Sequence, residues 1–213
     1  MDKKAYFIDI DGTLVDSMPR AWNEVILKYL DDRGVSYPKE MISEVVTKGF
    51  MAIANYYVDN LKIKERPQII YDYFMNGLKP LYANEFDLKK GAIKLIKKLK
   101  SEGCSVNVIS GSPHRFVDPC LKRHNVFNLF DNVWSVEDFN LAKSDEKLYQ
   151  ELSKKVGEKP ENCVLIDDSI GAIKTAKKFG FYTIGIFETV VKNYWGEVKA
   201  TADKTILDFT ELL

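Results

Sequence analysis

AYFIDIDGTLVDS, residues 5–17, is the stretch from which the organisation of the whole chain can be predicted. It begins with a short apolar run rich in aromatic and branched side chains, which is typical of a buried strand. The run ends at two carboxylates, Asp9 and Asp11, and Gly12 permits a sharp turn directly after them. Ligands of open α/β sheets bind at the carboxyl ends of the strands, so we expect a functional site here.

Asp9 and Asp11 allow two interpretations. Acids at the end of a strand are commonly solvated turn residues, and Thr13 and Asp16 offer side-chain oxygens that stabilise such a turn. Alternatively, the two carboxylates are a nucleophile and a proton-transfer partner beside a divalent cation, because crowded carboxylates repel each other unless a cation offsets their charge. The rest of the chain is needed to choose between them.

The composition excludes several classes of function. The chain has 213 residues, of which 46% are hydrophobic, enough for one sizeable core with a smaller appended unit. Its 31 basic residues balance 31 acidic residues, so no net field favours nucleic acid or an anionic membrane surface. The N-terminal residues lack a secretory signal pattern and no apolar run approaches membrane-spanning length, so we expect a cytoplasmic protein.

The cysteines and histidines restrict the metal chemistry. Cys104, Cys120 and Cys163 are widely spaced and form no CxxC pair, which argues against a disulfide framework and a structural zinc site. His114 and His124 are the two histidines of the chain. A histidine-rich metal centre is therefore excluded, and any metal must be held by oxygen ligands.

The pattern after the first strand is helical. The spacing of apolar residues predicts helices over 18–33, 50–61 and 67–78. A further helical region opens at Pro38 and is interrupted at Gly49. One strand thus stands alone before a long helical stretch, which indicates an insertion after that strand.

From residue 86 onward, predicted strands alternate with predicted helices. The strands are expected at residues 105–109, 132–135, 163–166 and 182–186. Strands separated by helices form right-handed crossovers, which predicts the α/β class with a Rossmann-like parallel sheet and helices on both faces. We therefore expect a core made of residues 1–16 and 86–213, with residues 17–85 as an inserted, all-helical cap domain.

Polar residues follow the later strands, and parallel strands deliver their ends to one edge of the sheet. Ser110 and Gly111 offer a hydroxyl and a main-chain amide to a phosphoryl oxygen, although this sequence also suits an ordinary turn. Lys143 precedes a helix, where it either offsets the charge of a phosphoryl group or lies on the surface. Asp167 and Asp168 end a buried strand, where adjacent acids are costly without a cation.

In this order, the carboxylate pair, the serine, the lysine and the second carboxylate pair resemble the four motifs of the haloacid dehalogenase superfamily of phosphohydrolases. The likeness is to the branch with a helical cap, which includes phosphoglycolate phosphatase and β-phosphoglucomutase. The motifs are Asp9-Ile10-Asp11-Gly12-Thr13, Val108-Ile109-Ser110-Gly111, Lys143-Ser144-Asp145-Glu146-Lys147-Leu148-Tyr149 and Leu165-Ile166-Asp167-Asp168-Ser169. The third motif lacks the two prolines usual in this branch, so Lys147 is an alternative to Lys143.

The resemblance implies a magnesium-dependent phosphatase that acts on a small phosphorylated metabolite. Asp9 would attack phosphorus and form an aspartyl-phosphate, while Asp11 would protonate the leaving oxygen and then deprotonate the hydrolytic water. The implied Mg²⁺ ligands are Asp9, Asp11 through its main-chain carbonyl, Asp167 and Asp168. The implied phosphate-binding residues are Ser110, Gly111 and Lys143. We expect a monomer or homodimer with no nucleic-acid or membrane partner.

Other activities of this superfamily are alternatives. Dehalogenases lack the carboxylate at the position of Asp11, so carbon–halogen cleavage is not expected. Sugar phosphomutases carry a histidine and an arginine where this chain has Ala21 and Ala52, which favours simple hydrolysis. Phosphonate-cleaving relatives use a cap lysine as a Schiff base, and Lys48 is one of several cap lysines that no pattern distinguishes.

Two rival classes use similar residues. A phosphorylation-dependent receiver module also has an acidic pair, a serine or threonine and a lysine, but its acceptor acid follows a later strand and it has no helical insert. A non-catalytic binding relative would have lost one of Asp9, Asp11 or Asp168, and all three are present. Three further residues are candidates for contact with a polar substrate: Arg20, His114 and Arg115. The alternative is that each is an ordinary exposed surface residue.

Overall fold

A six-stranded parallel sheet forms the centre of the molecule, whose computed structural model describes residues 3–45 and 49–213. The strands are β1 (Ala5–Ile8), β2 (Ser105–Ser110), β3 (Asn132–Ser135), β4 (Cys163–Asp167), β5 (Tyr182–Ile186) and β6 (Lys204–Ile206). Their order in the sheet is β3-β2-β1-β4-β5-β6, and every pairing is parallel. The predicted α/β class with a Rossmann-like parallel sheet is confirmed.

Helices connect the strands. Between β1 and β2 lie α1 (Met18–Ala21), a π-helical turn (Trp22–Ile26), α2 (Leu27–Asp31), α3 (Met41–Val45), α4 (Phe50–Asp59), α5 (Pro67–Asn84) and α6 (Ala92–Ser101). The later helices are α7 (His114–Arg123), α8 (Glu146–Val156), α9 (Ile170–Phe179) and α10 (Trp195–Thr201). We call the described residues from Met18 to Asn84 the helical segment. Lys48, which lies within the predicted helical region from Pro38, falls outside the described residues.

The side chains of β1 alternate between two core layers. Phe7 packs in the layer that contains Leu148 of α8 and Ala172 of α9. Ile8 faces the opposite layer, which contains Phe116 of α7 and Phe74 of α5. Because β1 is buried on both faces, its sequence is an unbroken apolar run, as expected for a central strand of a parallel sheet.

The π-helical turn of the helical segment packs closely against α5. A Cβ atom added at Gly77 would lie 2.8 Å from Cγ1 of Val25, so only glycine allows this approach without a shift. The hydroxyl of Tyr57 in α4 donates to the main-chain carbonyl of Ile26, 2.9 Å away. This bond satisfies a carbonyl in the widened turn, where the regular helical bonding is interrupted.

Helix α5 extends six residues beyond the predicted end at Leu78, because it continues through Pro80 to Asn84. A proline inside a helix removes one main-chain donor and is expected to interrupt it. Here Leu78 and Tyr82, on either side of the proline, are buried against the core, and this packing keeps the chain helical. The additional turns carry Tyr82 to the edge of the sheet.

The last two regular elements, α10 and β6, were not predicted. The strand has only three residues and the burial pattern of an exposed edge, too short for a periodic signal. The three cysteines, which all lie within the described residues, are buried and form no disulfide with one another. Within residues 3–45 and 49–213, no helix has the length and apolar character needed to cross a membrane.

Candidate active site

The neighbouring strands β1 and β4 bring the two acidic pairs together. Ile8 is in register with Ile166, and the amide of Asp9 donates to the carbonyl of Ile166 at 3.0 Å. Asp167 and Asp168 therefore leave the sheet beside Asp9. Oxygens of these three buried carboxylates lie within 4.8 Å of one another.

Lys143 is the cation of this cluster. Its ammonium donates to Asp9 Oδ1 and, at 2.8 Å, to Asp167 Oδ2. Three carboxylates and one ammonium leave a charge of minus two when all are ionised. An oxygen-only donor set with this excess charge fits a hard divalent cation such as Mg²⁺.

The pKa shifts reflect the same excess of negative charge. Burial raises the pKa of Asp9 to about 7, with Lys143 opposing and Asp167 and Asp11 adding to the rise. Burial, followed by repulsion from Asp167 and Asp9, raises the pKa of Asp168 well above its usual range. Burial alone would lower the pKa of Lys143, but attraction to Asp167 and Asp9 outweighs it and the net pKa is raised.

The Asp11 carboxylate lies apart from this cluster, among hydroxyl groups. Oδ1 accepts from Ser17 Oγ at 2.8 Å and from the hydroxyl of Tyr82, and Oδ2 accepts from Ser112 Oγ at 2.7 Å. Burial, together with the nearby Asp11 charge, raises the pKa of Tyr82 well above its usual range, so its hydroxyl remains protonated. The Asp11 side chain is thus not part of the three-carboxylate cluster of Asp9, Asp167 and Asp168.

Two of the three predicted phosphate-binding residues border the same space. Gly111 lines the cavity above the cluster, as Lys143 does. Ser110 does not line the cavity: it is fully buried beneath it, and its Oγ accepts from the Ser112 amide at 2.9 Å. Lys147, the alternative to Lys143, is exposed, so the structure brings Lys143 and not Lys147 to the carboxylates.

The cavity has a volume of about 380 Å³ and lies between the sheet edge and the helical segment. The carboxylates and Lys143 form its polar side. Its other wall is largely apolar and includes Met18, Ala21, Trp22, Ile26, Phe50, Ile53 and Tyr71. Among the residues that the structure describes, Lys143 is the only basic side chain in the lining.

The three polar candidates for substrate recognition lie elsewhere among the described residues. Arg20 pairs with Glu24 and Glu85 on the surface. His114 bridges Asp118 and Asp138. Arg115 donates to the hydroxyl of Tyr71, a residue that lines the cavity. None of the three candidates lines the cavity itself.

Tyr82 and Ser112 are site residues that the sequence did not reveal. The predicted end of α5 before Pro80 placed Tyr82 outside any helix, and Ser112 follows the Ser110-Gly111 pair without a predicted role of its own. No local pattern marks a tyrosine that reaches an acid 71 positions away. Ser17 ends the stretch of residues 5–17 quoted above, but the sequence assigned it no partner.

Known proteins resemble the chain along most of its length. A phosphoglycolate phosphatase from Psychrobacter arcticus is 25% identical over 199 residues, which cover 87% of this chain and 84% of the relative. A bifunctional riboflavin kinase/FMN phosphatase from Arabidopsis thaliana is 24% identical over 84% of this chain, which spans about half (47%) of that longer protein.

The fold and the family follow from two further findings. CbbY from Rhodobacter sphaeroides, solved in complex with phosphate, superposes with a TM-score of 0.82 at 20% identity over 99% of this chain and 96% of that one. A likeness at this identity establishes the fold alone. The family model of haloacid dehalogenase-like hydrolases matches residues 3–180. The protein therefore belongs to the haloacid dehalogenase-like hydrolase family, as the motifs predicted.

Proposed function

We propose that the protein is a magnesium-dependent phosphatase that hydrolyses a small phosphorylated metabolite through an aspartyl-phosphate. The observation that carries this proposal is the separation of the two motif-one acids. Asp9 sits in a buried cluster with Lys143, whereas Asp11 is held nearby by hydroxyl groups. This separation supports a nucleophilic role for Asp9 and a proton-transfer role for Asp11.

In this mechanism Asp9 attacks phosphorus as the bond to the leaving oxygen breaks. Asp11 gives a proton to that oxygen, so an alcohol departs and Asp9 carries the phosphoryl group. Asp11, now ionised, takes a proton from water, which attacks phosphorus and releases phosphate and free Asp9. Ser110, the Gly111 amide and Lys143 hold phosphoryl oxygens through both steps.

The proposed cation site consists of Asp9, Asp167 and Asp168, with the main-chain carbonyl of Asp11. Mg²⁺ bound there would offset the charge of the phosphoryl group and of the carboxylates. Thr13 Oγ1 donates to Asp168 Oδ1 at 3.2 Å and orients this carboxylate.

We further propose that the helical segment acts as a cap, with residues 17–85 inserted between the core segments 1–16 and 86–213. Two main-chain hydrogen bonds join the two core segments to each other next to the insertion. Asp16 N donates to Asp87 O and Lys89 N donates to Leu14 O, each at 2.9 Å. A cap in this position would exclude bulk water and contact the leaving group.

Hydrolysis is favoured over isomerisation of a sugar phosphate by one wall residue. Ala21 lines the cavity at the position where the mutase branch carries a histidine, and it offers no group that could move a proton. The phosphonatase alternative requires a cap lysine that forms a Schiff base. Lys48, the cap lysine named above as an example, lies outside the described residues. Phosphate monoesters are therefore the first substrates to test.

The test is phosphate release with and without Mg²⁺ from sugar phosphates, phosphoglycolate and 4-nitrophenyl phosphate. We expect Mg²⁺-dependent turnover that Asp9→Asn lowers at least about a thousandfold, because the amide is not a competent nucleophile. Asp16→Asn, an exposed acid of the same stretch, is the matched control and should retain activity. Substantial turnover by Asp9→Asn would eliminate the covalent mechanism.

A further inference from the structure

The Asp11 carboxylate accepts hydrogen bonds from hydroxyl groups in three separate parts of the chain. Ser17 lies before α1, Ser112 lies after β2, and Tyr82 lies near the end of α5. Both oxygens are therefore bonded, Oδ1 to Ser17 and Tyr82 and Oδ2 to Ser112. A group that must transfer a proton benefits from such fixed orientation, since small displacements of reacting atoms lower rates.

Packing fixes the ring of Tyr82, and with it the position of the hydroxyl. The residue is 2% exposed. Its ring stacks on Phe116 of α7 with centroids 4.9 Å apart and planes at 13°, and it contacts Phe86 edge-on at 4.9 Å. The hydroxyl also lies 3.2 Å from Ser112 Oγ, another of the three donors to Asp11. An aromatic side chain held on two sides has little freedom to move away from Asp11.

Tyr82 belongs to the helical segment, whereas its stacking partner Phe116 and its neighbour Ser112 belong to the part of the chain that follows β2. The contact with Asp11 thus joins the proposed cap to the proposed proton-transfer group. Ser17 and Ser112 reach Asp11 from short loops, but Tyr82 reaches it from an 18-residue helix. A rotation of α5 relative to the sheet would change this one bond directly.

We propose that Tyr82 is a positioning residue for Asp11: its hydroxyl holds Oδ1 in the orientation for proton transfer and makes that orientation depend on α5. The inference rests on the proposed function, in which Asp11 protonates the leaving oxygen. Tyr82 does not itself exchange a proton with substrate.

The consequence is a dependence on the leaving group. An aliphatic alcohol leaves from phosphorus only with a proton, whereas 4-nitrophenolate leaves without one. We therefore compare 4-nitrobenzyl phosphate and 4-nitrophenyl phosphate, which differ by one methylene. The ratio kcat/KM covers substrate binding and cleavage of the ester bond, in which Asp11 acts as an acid, and leaves out the later hydrolysis of the aspartyl-phosphate.

The variant is Tyr82→Phe, which keeps the ring and removes the hydroxyl. We expect kcat/KM for 4-nitrobenzyl phosphate to fall by about 10- to 100-fold, since misplacing a catalytic group has effects of this size. For 4-nitrophenyl phosphate we expect less than about a threefold change. In an Asp11→Asn background, Tyr82→Phe should cause no further loss, because the two residues act as a unit.

The matched control is Tyr57→Phe. Tyr57 is also a buried tyrosine of the helical segment, but its hydroxyl donates to the carbonyl of Ile26 and not to Asp11. It should lower the unfolding temperature without changing the ratio of the two substrates.

Equal losses on both substrates, or an additive loss in the double variant, would overturn the positioning role while leaving the phosphatase function intact. Absence of phosphate release by the unmodified protein from every ester would overturn the proposed function, and this inference with it.

Discussion

At the scale of single residues, Gly12 permits the close approach of the two acidic pairs. Its φ of +77° lies in the left-handed region, and a Cβ there would lie 2.7 Å from Asp168 Oδ2. Any larger residue would push Asp168 away from Asp9 and strain the turn. The glycine after the first acids is thus required by both backbone conformation and space.

Asp168→Asn is a prediction about charge in the buried cluster. Because burial and repulsion raise the pKa of Asp168, its ionised form disfavours the metal-free fold at neutral pH. We expect the neutral amide to raise the unfolding temperature of the metal-free protein by about 2–4 °C, the shift that roughly 1 kcal/mol causes in a chain of this size.

The same variant should lose the stabilisation that added Mg²⁺ gives the unmodified protein, since one ligand is removed. Thermal unfolding with EDTA and with excess Mg²⁺ measures both effects without any substrate. An Asp168→Asn protein with a full Mg²⁺ response would contradict the proposed ligand set. Asp16→Asn, outside the cluster, should behave like the unmodified protein.

At the scale of elements, α7 begins at a histidine between two acids. His114 Nδ1 and Nε2 lie 2.9 Å from Asp118 and Asp138, respectively. The hydrogen bond to Asp118 and, to a smaller extent, the one to Asp138 raise the pKa of His114. The protonated form therefore stabilises the fold below the ordinary histidine pKa of about 6.5, and this contribution is lost as the pH rises through the raised pKa.

His114→Gln should lower the unfolding temperature by about 1–2 °C at pH 5.5 and by less at pH 9, a small effect because the side chain is partly exposed. Thermal melts of both proteins across this pH range measure the difference. High salt should reduce the effect at pH 5.5, because it screens exposed charges. A larger loss at pH 9 than at pH 5.5 would refute this account.

The elements also show what sequence patterns can and cannot reveal. The strand ends that carry Asp9, Ser110 and Asp167 were predictable, because each apolar run stops abruptly at a polar residue. The end of α5 was predicted too early, because the effect of Pro80 is local whereas the burial that outweighs it depends on distant residues. Tyr82 could not be predicted for the same reason, because its contact with Asp11 forms only in the folded chain.

At the scale of the whole molecule, the cavity has two chemically different sides. The sheet edge supplies acids and Lys143, and the helical segment supplies apolar side chains such as Trp22 and Phe50. The side that would face a leaving group therefore favours aromatic or aliphatic groups, which gain from leaving water.

Phe50→Ala tests this division. Since Phe50 lines the apolar wall, we expect kcat/KM to fall about tenfold for 4-nitrophenyl phosphate and by less than about threefold for glycerol 3-phosphate. Met51→Ala is the control, because Met51 is the adjacent residue but is exposed. Equal effects of Phe50→Ala on the two substrates would show that this wall does not select the leaving group.

The order of the strands also has a consequence for how the protein is made. Residues 5–8 of β1 pair with residues 105–108 of β2 and 163–166 of β4. During synthesis β1, which directly precedes Asp9, therefore leaves the ribosome long before either of its neighbouring strands has been made. Contacts so distant along the chain form slowly. We expect the site to be assembled late, after β4 has emerged, so a nascent chain arrested before residue 163 would contain Asp9 but no acidic cluster.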